Sequence, residues 1–483
     1  MWLANKQWTI EQAVAMKEGG ILHLAELGDR LGLPCQFILE GQERENERSY
    51  LGFGEGWVLA GCDQPGGDPL QELRKFIQDW REACVPIQDH AGNGLALASG
   101  LVGYFDYEWG LKWQKPAATS VSPEYFFRVC PLNIIWLPQE NRLILEVFGS
   151  SRVGVERDFC EWQEAIDQVL EALELGKSVS GVRVSQTVKP GDAASPKGTP
   201  LQGHPRKDWQ GNLSRTAFIQ KVERIQEYIK AGDVFQAVLS QRLTLKATCS
   251  DWAVYQRLRV LNPSPYLFYV KGKDETLVGS SPELLLSSEG RRAKTRPIAG
   301  TRPRGDNEFC DLANEEELRG DVKENAEHAM LVDLGRNDLG RVSQYGSVKV
   351  SQYAEVERFS HVMHLVSTVE GELAQAYDGL AALGAVFPAG TLSGAPKVRA
   401  MEIIQELECD RRGGYGGALG ILRWNGDVDF CITIRTLRFT HDEISVQAGA
   451  GIVYDSLPER EYEETLHKAM ALMKVVNEVV DGD

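Results

Sequence analysis

KENAEHAMLVDLGRNDLGRV, residues 323–342, opens with two glutamates three positions apart, Glu324 and Glu327. At that spacing two side chains share one helical face, and the surrounding run predicts a helix over residues 315–338. A second stretch, DSLPEREYEETLHKAMALM (455–473), repeats the spacing with Glu461 and Glu464. There Leu466, Ala469, Met470 and Met473 mark a buried stripe, and Ser456 with Glu459 makes a capping-box pattern, so a helix is expected over residues 458–480. Both glutamate pairs thus lie near helix N-termini, where the helix dipole favours carboxylate. Where two such pairs face each other, four carboxylates repel unless they are hydrated or hold a cation. A hard divalent ion such as Mg²⁺ suits all-oxygen ligands and keeps positions open for substrate oxygens. Read singly, each pair is equally the solvated charge of a surface helix, and spacing alone does not bring the two helices together.

The chain around them has 483 residues, 43% hydrophobic and 25% charged, the balance of an ordinary globule with a large core. A net charge of -17 argues against binding nucleic acid by phosphate neutralisation and makes any local basic cluster more informative. The nine cysteines form no CxxC pair and read as reduced thiols of a cytoplasmic protein. No apolar run approaches the roughly 18 residues of a membrane helix, and the N-terminus lacks the layout of a signal peptide.

A Ser-, Gly-, Pro- and Lys-rich segment, residues 181–211, reads as a linker or long loop. It separates an N-terminal region (1–180) from a C-terminal one (212–483). Residues 157–176 read as an amphipathic helix, and residues 96–110 and 133–149 as strands with turns. In the C-terminal region Phe218, Val222, Ile225 and Ile229 recur at helical spacing until Gly232-Asp233 stops the run. Strand-like runs follow at 234–245, 276–290, 429–440 and 444–455. Hairpin-like strands beside long helices indicate an α+β fold with large antiparallel sheets.

One basic cluster stands against the acidic background: KTRPIAGTRPRG, residues 294–305, carries Lys294, Arg296, Arg302 and Arg304 around a Gly-Thr turn. It belongs to an ordered set of motifs that also includes VFQAVLSQR, GSSPELL, HVMHLVSTVEGEL, FPAGTLSGAPKVRAMEIIQELE, GGYGGALGIL, ITIRTL and QAGAGIVYDSLPEREYEET. With both acidic helices, this set closely resembles the chorismate-utilising enzymes, among them anthranilate synthase component I, aminodeoxychorismate synthase component I and the isochorismate and salicylate synthases. The match spans about residues 212–475. In the N-terminal region FILEGQERENERSYLGFG and LVGYFDYEWG resemble the first two of these. The resemblance implies a four-layer α/β/β/α structure with the active site between two antiparallel sheets.

It also implies roles. Mg²⁺ would be held by Glu327 and Glu464, with Glu324 and Glu461 close by, and would grip the ring carboxylate of chorismate. The enolpyruvyl carboxylate would meet Arg435, Tyr415 and the backbone of Gly449, Ala450 and Gly451. Glu283 is the candidate acid for the departing C4 hydroxyl, with His364 and Thr391 at the leaving group and enolpyruvyl region, and Gly300 and Thr301 form a chorismate-contacting turn. His361 reads as structural, and at least two of the four flanking cations as salt-bridge partners.

Two positions separate the branches. Aminodeoxychorismate synthases typically carry a nucleophilic lysine where Ala299 stands here, and the isochorismate and salicylate branch a water-activating lysine where Gln236 stands. Neither alanine nor glutamine supplies a base. That pattern, with NPSPYLFYV (262–270), resembles the anthranilate synthase branch, in which ammonia is the nucleophile and the products are anthranilate and pyruvate. Since the chain shows no glutaminase motif, a separate glutamine amidotransferase subunit is the expected ammonia source. Family members bind tryptophan as a feedback inhibitor between an LLES-like motif and the NPSPYMF segment. Here these read Ile38-Leu39-Glu40-Gly41 and Pro265-Tyr266-Leu267, with glycine for the usual serine, so weak or absent inhibition is expected. The alternatives are an aminodeoxychorismate synthase that dispenses with the lysine, and a catalytically silent regulatory homologue.

Overall fold

The computed structural model describes residues 6–13, 22, 24–26, 34–41, 48–62, 69–83, 99–115, 123–137, 142–149, 209–246, 249–305, 307–359 and 362–482. The amphipathic helix expected at 157–176, most of the connector and His361 lie outside them.

Two antiparallel sheets form the frame. The larger has twelve strands; Lys6–Ala13 lies at one edge, Gly394–Ala395 at the other, and Cys35–Gly41 pairs with Tyr266–Lys271 at the join between the chain's two regions. The second has ten strands, with Ile298–Pro303 near one edge and Trp57–Cys62 at the other; Ala418–Arg423 pairs with Gly100–Phe105 at the corresponding join. In each sheet, strands from the two sides of the connector therefore form two contiguous blocks that meet at one join. At the connector's tail, Gln210–Gly211 is already a short strand on Gln236–Leu245.

The layers follow from where apolar side chains point. Phe37, Tyr104, Phe126, Phe268, Leu277 and Leu419 fill the space between the sheets. The outer face of the larger sheet is covered by helices Arg215–Ala231, Asp251–Leu261, Lys397–Leu407 and Pro458–Gly482, through residues such as Phe218, Tyr255, Ile403 and Met473. On the outer face of the other sheet, Trp80 of helix Pro69–Ala83 stacks on Trp424 at 4.9 Å, and Val332 and Leu383 come from helices Val322–Gly340 and Gly379–Val386. This is a helix–sheet–sheet–helix arrangement, the layering expected for α+β sheets that each need both faces covered. No helix among the described residues is long and apolar enough to cross a membrane.

Local rules account for most boundaries. Helix Arg215–Ala231 starts at Ser214, whose hydroxyl accepts the Ala217 N–H, and stops at Gly232 in the left-handed region. Two expectations need correction. The helix expected over 315–338 is two helices, Glu308–Gly320 and Val322–Gly340, because Asp321 ends the first and caps the second. Its carboxylate accepts the N–H groups of Lys323 (2.9 Å) and Glu324 (3.1 Å), satisfying donors that a continuous helix would use internally. The capping box at Ser456 and Glu459 also takes another form: the Ser456 hydroxyl accepts the Val453 N–H at 3.0 Å and faces Glu461. A smaller difference lies at residues 96–110, where the strand Gly100–Phe105 gives way to helix Trp109–Gln114.

Candidate active site

Helices Val322–Gly340 and Pro458–Gly482 bring the carboxylates near their N-termini within electrostatic reach of one another. The Glu327 carboxyl is raised above its ordinary range by burial first, then by the charges of Glu324 and, across the gap, Glu464. Glu461 is likewise raised by burial and by Glu464, and Lys323 of the other helix opposes that rise. The four carboxylates thus share one electrostatic neighbourhood, although they are not gathered into one knot. Glu464 pairs with Lys468 at 2.7 Å, Glu324 lies 3.5 Å from Arg302, and Glu327 accepts a hydrogen bond from Gln236 Nε2 at 3.1 Å. Among the described residues no three His, Cys, Asp or Glu side chains stand close enough to form a metal cluster.

Beside this acidic edge lies Glu283, buried at the start of strand Leu284–Glu289. Desolvation pushes its pKa up to about 7, against the opposing pull of Thr391 and the positive charges of Lys468 and Arg435. The Thr391 hydroxyl, in the short turn Gly390–Leu392, donates to Glu283 Oε1 at 2.9 Å. Close to half of such a carboxyl is protonated at neutral pH, the property a proton donor needs.

His364 stands opposite Thr301 across strands Ile298–Pro303 and Val362–Glu372. Its Nδ1 lies 2.8 Å from the Gly300 carbonyl and 3.1 Å from the Thr301 hydroxyl. A carbonyl only accepts, so Nδ1 carries the proton and Nε2 keeps a lone pair. Burial is the main cause that lowers its pKa to about 4, helped by the charges of Arg435 and Lys468, so the ring is neutral at pH 7. Gly300 adopts φ +69 at the bulge between Ala299 and Thr301, a conformation that penalises any Cβ.

Arg435 sits between strands Val428–Ile432 and Thr436–Phe439 with φ +48, an uncommon backbone state for a residue with a Cβ. The Ser280 N–H donates to its carbonyl at 3.1 Å and holds it there. Desolvation lowers its pKa while the charge of Glu283 raises it, and among the described residues no carboxylate forms an ion pair with it. The backbone of Gly449, Ala450 and Gly451 runs alongside, in strand Ile444–Ile452. A Cβ on Gly449 would stand 2.9 Å from the Tyr415 hydroxyl, and one on Gly451 2.4 Å from Gln236 Nε2. The glycines thus let two polar side chains approach the strand.

The fold therefore gathers the expected residues around one region. Of the four cations in 294–305, three are taken up by carboxylates: Arg296 by Glu357, Arg302 by Glu317 and Asp321, and Arg304 by Asp311. Two residues escaped the sequence reading. Lys468 donates to the Gly449 carbonyl at 3.0 Å as well as pairing with Glu464; its place four residues after Glu464 is the signal that would have found it. Arg412, buried behind Tyr415, carried no such signal.

Away from this region, the two segments expected to frame an inhibitor pocket are neighbours: Glu40 lies opposite Leu267 and Gly41 opposite Tyr266. Glu40 is buried, and its carboxylate accepts from Tyr255 and from Arg259 Nε at 2.8 and 3.0 Å. The Tyr266 hydroxyl donates to Asp429 at 3.2 Å, and Pro265 leads into the strand Tyr266–Lys271.

This chain belongs to the chorismate binding enzyme family, whose sequence model matches residues 34–474. It is 53% identical over 417 residues to anthranilate synthase component 1 of Aquifex aeolicus, covering 85% of this chain and 79% of that protein. With its counterpart in Lactococcus lactis subsp. lactis the identity is 39% over 455 residues, covering 91% and 94%. The crystal structure of anthranilate synthase component I from Streptococcus pneumoniae superposes with a TM-score of 0.66 at 33% identity, covering 91% of this chain and 92% of that one. Along most of its length, then, the chain is a homologue of anthranilate synthase component I.

The raised pKa of Glu283 predicts a pH dependence. As a donor it is active while protonated, so kcat/KM for chorismate, measured at constant free ammonia, falls as pH rises through about 7. Glu283→Gln removes this limb along with most of the activity. A profile flat across neutrality in the unmodified chain excludes Glu283 as the acid.

Proposed function

We propose that this chain is an anthranilate synthase component I: it converts chorismate and ammonia to anthranilate and pyruvate in tryptophan biosynthesis. The observation that carries the reading is the coincidence, at one site, of a buried acid raised toward neutrality, Glu283, with an amide and a methyl group at the two positions where relatives of other specificity place lysine. Gln236 is engaged by Glu327 and Ala299 is a buried strand residue, so neither activates water or attacks the ring.

Glu327 and Glu464, with Glu324 and Glu461 beside them, suit a hard divalent cation, because burial and mutual repulsion already penalise two of the four charges. Mg²⁺ bound there supplies Lewis-acid polarisation and a template for the substrate's ring carboxylate. The rest of the work falls to the chain's own groups. Arg435 offers a planar fork to the enolpyruvyl carboxylate, and Tyr415 with the backbone of Gly449–Gly451 fixes its orientation. Neutral His364 and the turn Gly300-Thr301 border the C4 side. As ammonia attacks C2, Glu283 gives its proton to the C4 hydroxyl, which leaves as water while Thr391 steadies the carboxylate that forms. The amino group sheds a proton that restores Glu283; the C2 ring proton is then removed and the ring–oxygen bond breaks, the departing enolpyruvate takes a proton at its methylene carbon to leave as pyruvate, and the ring becomes aromatic.

Ammonia comes from a glutamine amidotransferase subunit, a reading supported by the words "component 1" in the relatives' names, which imply a partner subunit, and the complex is cytoplasmic. The purified chain with Mg²⁺, chorismate and ammonium salts is expected to release anthranilate and pyruvate in equal amounts. Glutamine replaces ammonium only when the amidotransferase subunit is added, and chelation stops both reactions. Accumulation of aminodeoxychorismate with its enolpyruvyl group retained establishes the alternative synthase instead.

The segments around Glu40 and Tyr266 are the candidate tryptophan site. Glycine at position 41 leaves no hydroxyl for the ligand's polar end, and one such hydrogen bond is worth about 0.5–1.5 kcal/mol. Tryptophan titrated during turnover is expected to inhibit weakly, and Gly41→Ser to tighten inhibition roughly threefold to tenfold. Tight inhibition of the unmodified chain contradicts this.

A further inference from the structure

Arg412 lies at the centre of the supports behind the site. Its guanidinium is sealed among protein groups. Nε and Nη2 form a fork on the Glu408 carboxylate at 2.8 and 2.7 Å. Nη2 also donates to the Val238 carbonyl at 2.8 Å, and Nη1 to the Leu392 carbonyl at 2.6 Å. Tyr107 lies against the guanidinium at 4.4 Å from its ring centroid and Tyr415 at 5.7 Å. Glu408 in turn accepts the Ser240 N–H and hydroxyl, both at 2.8 Å, while the Arg412 backbone N–H donates to Glu108 at 2.8 Å.

Each partner leads to a different piece of the site. Val238 follows Gln236 by two residues in one strand, Leu392 follows Thr391 in the same turn, and the Tyr415 hydroxyl meets the Gly449 backbone. Tyr107 and Glu108 belong to the N-terminal region, so this one side chain also ties the two halves of the chain together at the site. A buried ion pair contributes little net stability, because desolvating two charges cancels most of their attraction. What a guanidinium adds is direction: its donors lie in one plane at fixed angles, and its faces stack on aromatic rings. Lysine reproduces neither property.

We propose that Arg412 is a positioning residue for recognition of the substrate's enolpyruvyl carboxylate, acting through Tyr415 and the carbonyls of Leu392 and Val238. This rests on the function proposed above. The test compares kcat and KM for chorismate, with ammonium salts as nitrogen source, in the unmodified chain, Arg412→Lys, Tyr415→Phe and the double variant, with thermal melting as the check on folding. Arg412→Lys is expected to raise KM at least tenfold while kcat changes less than threefold. In the Tyr415→Phe background the same change is expected to add less than threefold to KM, because the effect is transmitted mainly through the Tyr415 hydroxyl on the Gly449 backbone. A KM within twofold of the unmodified chain, or factors that simply multiply in the double variant, overturns the proposal. Should Arg412→Lys fail to fold, Tyr107→Leu, which strips one face of the guanidinium and leaves its hydrogen bonds, is judged by the same criteria. An unmodified chain that does not turn over chorismate overturns the underlying reading, and this inference with it.

Discussion

Glu327 and Glu464 belong to different helices, yet the charge of Glu464 adds to the burial and the Glu324 charge that raise the Glu327 carboxyl. That repulsion is the constraint from which the rest of the site follows. Helix N-termini lessen it through their dipoles, and Lys468, Arg302 and Gln236 each attend to one carboxylate. What remains is an acidic edge which, in the function proposed above, would gain from a divalent cation and, through it, from a dianionic substrate. The helices are held in this confrontation by different layers: the first helix packs through Val332 and Leu339 on one sheet, the second through Leu472, Met473 and Val476 on the other. Joining two sheets face to face is therefore what creates the site.

Across from the acidic edge the same burial works in the opposite sense. Glu283 and His364 are both driven toward their neutral forms, and hydrogen bonds to Gly300 and Thr301 fix the His364 ring. Arg435 keeps its charge but is held in a strained backbone state. Strain of this kind persists only where the surroundings over-determine the conformation, and here strands on either side do so. An acid raised toward neutrality, a neutral imidazole and a cation thus stand together, the arrangement that the proposed proton transfer would use with little reorganisation.

Much of this was legible in the sequence, for identifiable reasons. The stop at Gly232 and the helix from Pro458 obey local rules, and the structure repeats them. The glutamate spacing marked the right faces, but only the ordered motifs and their family resemblance suggested that the two faces meet. The break at Asp321 carried the same Gly-Asp signal as the stop at Gly232-Asp233, with Glu324 at capping distance, but the long run of helix-forming residues on either side masked it. Arg412 was illegible for a deeper reason. An arginine beside glycines reads as a solvated loop cation, and its burial between two tyrosines is decided by residues from four separate stretches of chain. The four cations of 294–305 are the converse case: conspicuous in sequence, they were expected to include at least two salt-bridge partners, and three are taken up by carboxylates in the fold.

The most direct measurement is anomalous X-ray scattering from crystals grown with chorismate and Mn²⁺ in place of Mg²⁺. A single strong peak bridging Glu327 and Glu464, against the ring carboxylate of the ligand, is the expected result. A peak elsewhere in the chain, or chorismate bound with no metal between those two glutamates, would contradict the proposed site.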